Sequence, residues 1–299
     1  MQFNLGCLNP ICSYSKKTDN LLGSYLAGLI EGDGSIIIRK GLHEKISPAI
    51  IFTFHKKEWL MFEKLRMVIN SGIIYQEKTQ EICRYRISNA EAVIKVINLI
   101  NGYFRTPKIE ALHRAIDNLN KWRNANLIKL SLDSSDIGSN AWLAGFTDAD
   151  GHFAVKLLGS YATNGSNTRG RVQCVFSINQ NEIRRVSGES CVPFMKKIAS
   201  FFKCNLNYKI EKSDLFKEPA KKILFFVQSD KSYVLVINYF NKYPLMTSKY
   251  LNYLSYVEAC DYLGKRLTTE EILEVREIKY SMNNKRTKFN WDHLNNFYS

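Results

Sequence analysis

The chain has 299 residues, 45% hydrophobic and 23% charged, which is enough apolar material for about two ordinary domains and too much for a disordered chain. Its 42 basic residues outnumber its 28 acidic ones, giving a formal charge of +14, so the composition favours a polyanionic partner. Seven cysteines at irregular spacing, with no C-x-x-C pair, argue against a disulfide framework or a zinc site, and no apolar run reaches membrane-spanning length.

In chain order, residues 1–20 read as an N-terminal extension without a secretory core or the Arg-rich pattern of a typical transit peptide. Residues 26–34 spell LAGLIEGDG at the start of a first repeat assigned to 21–122. After it come a β-rich run over 35–40, a strand over 48–54, a helix over 58–68, strands over 72–76 and 82–88, and a closing helix. Residues 123–139 are rich in Asp, Ser, Gly and Asn and read as a linker.

Residues 143–151 then spell LAGFTDADG, so Asp33 and Asp150 lie 150 − 33 = 117 residues apart, about one small domain. A second repeat, assigned to 140–299, gives the same order: strands over 152–157 and 171–179, a helix over 192–202, strands over 205–211 and 221–228, and a closing helix. In 171–179, Arg171, Gln173, Val175, Ser177 and Asn179 share one strand face, while Val172, Cys174, Phe176 and Ile178 share the other. Arg84 and Arg86 likewise alternate with Tyr85 and Ile87. The C-terminal extension adds a helix opened by a capping box, Thr268 to Glu271, and a basic aromatic tail. The pattern predicts an α+β fold, αββαββα twice, with antiparallel sheets covered by helices on one face.

Within each motif, Gly28 and Gly32, or Gly145 and Ala149, are four apart and share a helix face. Small residues there let two helix backbones approach closely. Asp33 and Asp150 fall at the helix ends, where a carboxylate meets the negative end of the macrodipole. If the two helices pair, acids and free carbonyls converge, and a hard divalent cation is the natural compensation. Beside a basic surface, that chemistry points to phosphodiester hydrolysis.

The doubled LAGLIEGDG and LAGFTDADG resemble the paired motifs of single-chain LAGLIDADG homing endonucleases, and the resemblance spans the chain from about Leu21. It implies a saddle of two sheets over the major groove of double-stranded DNA, a working monomer, and double-strand cleavage with Mg²⁺. Mn²⁺ is then expected to substitute, and Ca²⁺ to support binding without efficient cutting. Asp33 and Asp150 would bind the metal, with the carbonyls of Gly32 and Ala149 as further contacts, while Glu31 and Asp148 are read as helix-end structure. Lys108 and Lys249, each ahead of a closing helix, match the family's active-site lysine. Gln180 matches the glutamine that ends the second strand; in the first half that slot falls to Phe54 or Lys56, so the two sites are expected to differ in rate.

Arg39, Arg84, Arg86, Lys156, Arg171, Gln173, Ser177 and Asn179 are the candidate DNA contacts, Arg for guanine and Gln or Asn for adenine. An RNA maturase acting on intron RNA is the rival on the same fold, and a non-catalytic DNA-binding protein is a second. The resemblance also implies an intron-encoded, mitochondrial origin.

Overall fold

The computed structural model describes residues 20–38, 47–77, 81–159, 171–184, 187–211, 219–229 and 232–298. The first repeat runs α1 (Leu21–Gly32), β1 (Gly34–Ile37), β2 (Ala49–His55), α2 (Trp59–Ile69), β3 (Ile73–Gln76), β4 (Ile82–Ile87), α3 (Ala90–Ile100) and α4 (Ile109–Arg123). The second runs α5 (Trp142–Asp150), β5 (Gly151–Leu158), β6 (Arg171–Asn181), α6 (Val192–Phe201), β7 (Leu206–Glu211), β8 (Ala220–Val227), α7 (Tyr233–Lys242) and α8 (Lys249–Cys260), followed by α9 (Thr269–Tyr280). Each repeat therefore closes with two helices rather than one. In the first, α3 ends at Asn101, whose extended backbone leads through Gly102 to Pro107 before α4 begins.

Both sheets are antiparallel and four-stranded with the same order, β1-β2-β4-β3 and β5-β6-β8-β7. Their registers match as well: Gly34 faces Phe52 and Gly151 faces Ile178, so Phe52 and Ile178 are equivalent positions. The alternation read from 171–179 has its cause in the core. Cys174, Phe176 and Ile178 are buried with Phe153 and Phe225 on the helix side, while Arg171 and Asn179 stay in solvent; Val175, expected on the wet face, departs from the alternation and is buried, paired with Ala154 of β5. α9 carries its capping box, Thr268 and Glu271 each bonding the other's backbone N–H.

Residues 124–136 form neither helix nor strand, yet they are tied down. The Asn101 side chain bonds the backbone of Ile128 and Leu130, and the buried Arg105 guanidinium donates to Asp133 at 2.8 Å and to the Ser135 carbonyl at 2.7 Å. Arg105 also lies 5.6 Å over the Trp142 ring, so one side chain joins the first repeat, the connecting segment and the second motif helix. The C-terminal tail returns to the same seam, placing Phe297 and Tyr298 against Tyr25. No helix among the described residues is long and apolar enough to cross a membrane.

Candidate active site and nucleic-acid face

The site begins with how closely α1 and α5 pack. A Cβ added to Gly28 would lie 1.9 Å from the Trp142 carbonyl oxygen, and one added to Gly145 would lie 1.9 Å from that of Tyr25. Each glycine thus rests on the other helix's backbone, which repays the helical cost of about 0.5–1 kcal/mol that glycine carries. One turn further on the pair is unequal: a Cβ on Gly32 would fall 2.1 Å from the Cβ of Ala149, so there is room for one methyl group, not two.

The earlier acids of the motifs are structural, as the sequence suggested. Glu31 is buried and accepts from the Arg105 and Thr106 N–H groups, the Thr106 hydroxyl and the Trp142 indole. Asp148 accepts from Met246 N–H, Thr247 N–H, the Thr247 hydroxyl and the Tyr25 hydroxyl. Each acid thereby anchors the turn that leads into its repeat's lysine-bearing helix. Burial pushes Glu31 up to about 7 and also raises Asp148, against the pull of these donors.

Those turns deliver Lys108 and Lys249 to the ends of the motif helices. The Lys108 ammonium donates to the carbonyls of Ile30, Gly32 and Gly34 at 2.8, 3.1 and 2.8 Å. Lys249 donates to the carbonyls of Thr147 and Ala149 at 3.1 and 2.5 Å. A cation at a helix C-terminus neutralises the macrodipole's negative end. The carbonyls of Gly32 and Ala149 therefore already hold an ammonium, and each keeps a second lone pair for another partner.

Asp33 and Asp150 sit beside these ammoniums. Asp33 is open to solvent on one side and Asp150 is half-buried. Desolvation and then the neighbouring Asp150 push Asp33 up to about 6, while the two lysines pull it down. Desolvation also raises Asp150, opposed first by the Gln180 amide, which donates to it at 2.8 Å. Lys108 is pushed down to about 8, by burial and then by the charge of Arg184, and burial lowers Lys249.

Two clefts open at this centre. One, of about 380 Å³, is lined by Asp33, Phe54, Glu58, His152, Ser248 and Lys249 among others. The other, of about 690 Å³, is lined by Gly32, Asp33, Ser35, Lys108, Arg114 and Arg184 among others. The sheet register resolves the open slot of the first half: two residues beyond the equivalent Phe52 and Ile178 stand Phe54 and Gln180. Phe54 stacks on Phe62 at 3.9 Å, while Lys56 lies past the strand and pairs with Glu81 in solvent.

Several residues here were not singled out from the sequence. Tyr25 and Trp142 stand at matched positions, eight before their motif aspartates, since 33 − 25 = 150 − 142. Aligning the repeats would have flagged this pair of aromatics with polar tips. Glu58 and Arg184 are likewise matched, each four residues after its slot, but only the fold shows that each reaches the other repeat's cleft.

Among the candidate DNA contacts, Arg84, Arg86, Lys156, Arg171, Gln173, Ser177 and Asn179 all lie on sheet faces turned away from the helices. Arg84 is paired with Glu77 at 2.8 Å, and the Gln173 amide donates to Gln228 at 2.5 Å. Arg39 lies outside the described residues.

Comparison with known proteins agrees with this geometry. The sequence matches the LAGLIDADG endonuclease family over residues 26–118 and again over 143–260. It is 32% identical over 309 residues to the intron-encoded DNA endonuclease aI3 of Saccharomyces cerevisiae, covering 93% of this chain and 73% of that protein. The intron-encoded RNA maturase bI4 of the same yeast is 28% identical over 275 residues, covering 86% of this chain and 40% of that one. The I-LtrWI LAGLIDADG homing endonuclease bound to target DNA superposes with a TM-score of 0.64 at 20% identity, covering 89% of this chain and 99% of that one. I-SmaMI bound to cleaved DNA gives 0.63 at 21% identity, covering 88% and 97%. With two matched repeats, each opening on a motif helix and continuing into the same four-stranded sheet, this chain belongs to the double-motif LAGLIDADG homing endonucleases.

Proposed function

We propose that this protein is a site-specific endonuclease that hydrolyses both strands of a long duplex, with residues 21–122 and 140–299 each seating one half-site and 123–139 joining them. One observation carries the reading. Asp33 and Asp150 converge at the paired ends of α1 and α5, flanked by Lys108 and Lys249, where each motif helix runs directly into the first strand of its sheet. RNA or DNA binding alone does not require that arrangement.

A divalent cation fits these residues. Desolvation raises both carboxyls, Asp150 raises Asp33 further, and the Lys108 and Lys249 ammoniums pull both down without reversing the rise. Among the described residues, no three His, Cys, Asp or Glu side chains gather as a closed metal cage. An oxygen-only donor set of one or two carboxylates, leaving room for waters and phosphate oxygens, is what Mg²⁺ takes. Asp33 and Asp150 would hold it, with the Gly32 and Ala149 carbonyls as further oxygens. When bound, such a cation polarises a phosphate and makes water more acidic. Lys108 and Lys249 present positive charge to the phosphate oxygens. The Gln180 amide, oriented by its bond to Asp150, offers its carbonyl to a water molecule. The outer sheet faces, with Arg84, Arg86, Lys156, Arg171, Gln173, Ser177 and Asn179, would meet the major groove and phosphates.

The kinship with an RNA maturase keeps intron RNA as the second reading. The kinship with intron-encoded proteins supports an intron reading frame in an organelle as its source. The test is cleavage of a randomised duplex library with Mg²⁺, using wild type, Asp33→Asn and Asp150→Asn, with Ca²⁺ as binding control. Discrete double-strand breaks by wild type, and binding without breaks by the variants, are expected. Tight binding to nucleic acid with no cutting by wild type would sink the nuclease reading and favour the maturase.

A further inference from the structure

The segment after α9 has no counterpart in the first repeat, and its path leads into the catalytic centre. The chain turns at Asn283, whose φ of +55° lies in the left-handed region. Two hydrogen bonds hold that turn. The Asn283 backbone N–H donates to the Asn252 side chain at 2.9 Å, and its side-chain amide donates to the Phe153 carbonyl of β5 at 3.0 Å. Asn283 and Asn284 thereby join Asp33, His152 and Lys249 in lining the cleft of about 380 Å³.

Both ends of this strap rest on α8, the helix that opens on Lys249. At one end the Arg286 guanidinium donates to the Leu251 carbonyl at 3.1 Å and the Ser255 hydroxyl at 3.0 Å. At the other, the His293 ring stacks on Tyr250 at 4.4 Å and hydrogen-bonds the Met246 carbonyl at 3.0 Å. Tyr250 and Asn252 stand one and three residues after Lys249. The same places after Lys108 hold Ile109 and Ala111, which offer neither a polar ring nor an amide.

The strap is also basic. From Ile278 to Trp291 the sequence has Lys279, Lys285, Arg286 and Lys288 and no acid. The acids of α9 come earlier, the last being Glu277, and Asp292 follows, accepting from the Asn290 amide. Arg286 is committed to α8, whereas Lys285 and Lys288 are exposed, Lys285 lying 3.9 Å over the exposed Tyr280 ring. Within the cleft Lys57 and His152 stand beside the acids. Of these, Glu58 accepts the Ser248 N–H at 2.8 Å and the Ser248 hydroxyl, and Asp148 is held by four donors. A rim of donors therefore runs out of the cleft and along the strap.

We infer that the strap is an additional backbone-binding surface for DNA: Asn284, Lys285 and Lys288 hold phosphates of the duplex beside the Lys249 cleft, on one side of the cleavage centre only. This rests on the DNA-binding part of the endonuclease reading. Ammonium groups and an amide donor on a fixed loop suit phosphate oxygens, which set register without reading sequence. Continuity with the cleft of Asp33 and Lys249 makes the occupant duplex DNA rather than RNA.

The probe is a duplex recovered by binding selection from a randomised library in Ca²⁺, titrated with full-length protein over a range of salt. Lys285→Ala combined with Lys288→Ala should make the salt slope shallower by about 2 and weaken binding to all sequences alike. Lys285→Arg with Lys288→Arg should keep the wild-type slope. Single methylphosphonates placed along each strand test wild type directly: they should weaken binding at a cluster of positions on one side of the centre with no equivalent on the other. An unchanged slope in the alanine variant, or a methylphosphonate pattern symmetric about the centre, would overturn the inference. So would an unchanged duplex slope with weakened binding of a randomised structured RNA pool, which would make the strap an RNA surface. Cutting is read separately in Mg²⁺, so a failure of the nuclease reading masks neither result. A wild type that selects no duplex overturns the DNA-binding reading and this inference with it.

Discussion

The Tyr25 hydroxyl, on the first motif helix, donates to Asp148, near the end of the second, at 2.7 Å. The reciprocal bond runs from the Trp142 indole to Glu31 at 2.5 Å. Neither buried acid is fully satisfied by its own repeat, so the two halves complete each other's polar core. Tyr25→Phe leaves one of the four donors to Asp148 missing and should cost about 1–3 kcal/mol in urea denaturation. An unchanged midpoint would mean that this bond contributes nothing.

The single methyl between Gly32 and Ala149 gives a cleaner test of the seam. Gly32→Ala alone should force the helices apart and destabilise by roughly 1–3 kcal/mol. Gly32→Ala combined with Ala149→Gly moves the methyl to the other helix and should regain most of that loss in a double-mutant cycle. Additive effects would show that the two Cβ positions do not share one space.

The motif acids should separate sharply by role. Asp148→Ala leaves four donors without their acceptor inside the fold and should lower stability by about 3 kcal/mol or more. Asp150→Asn, at a half-open position, should keep the melting temperature within a few degrees while abolishing cleavage. Chelation of divalent ions should reproduce the second phenotype, not the first. A melting curve and a cleavage gel on the same preparations decide it.

Asp133 predicts a pH dependence. Burial works to raise its carboxyl, but the Ser135 N–H and Arg105 outweigh it and hold the group below the usual aspartate value. A depressed folded-state value stabilises above the unfolded value and loses that contribution as pH falls through the folded one. Asp133→Ala should therefore cost about 3 kcal/mol near neutrality, since it strands the buried Arg105, and the gap from wild type should shrink below about pH 4. A constant gap down to pH 2 would contradict the pairing.

On the outer faces, charge and sequence readout should come apart. Lys156→Ala or Arg171→Ala should weaken duplex binding across sequences and reduce the salt slope by about 1 each. Gln173→Ala should relax preference at one base pair with little change in slope. Binding titrations between 50 and 200 mM salt, on the order of the range where such slopes are steep, distinguish them.

Much of this was legible in the chain because duplication writes each feature twice. The paired Asp33 and Asp150, the Thr-x-Lys turns at Lys108 and Lys249, and the face shared by Arg171 and Asn179 all follow from period and repetition. Gln180, matched through the family resemblance rather than by period, donates its amide to Asp150. What stayed hidden depends on contact between repeats. Glu58 and Arg184 are ordinary loop residues until each is seen in the other half's cleft, and the choice between Phe54 and Lys56 needed the β1–β2 register. The extra helices α3 and α7 were merged into the closing ones, because a break at Asn101–Gly102 is a matter of backbone conformation.

The covalent joining of two near-equivalent sheets has a consequence for what they can read. A dimer of identical halves is confined to near-palindromic targets, because its own symmetry is imposed on the sequence it contacts. Here the outer face of one sheet carries Arg84 and Arg86 on β4, while at the same register on β8 stand Leu224 and Phe226 respectively. One chain thus presents two different alphabets in a fixed order. A duplex seated on it would be recognised in a single orientation, so that inverting either half of the target should abolish recognition as completely as scrambling it.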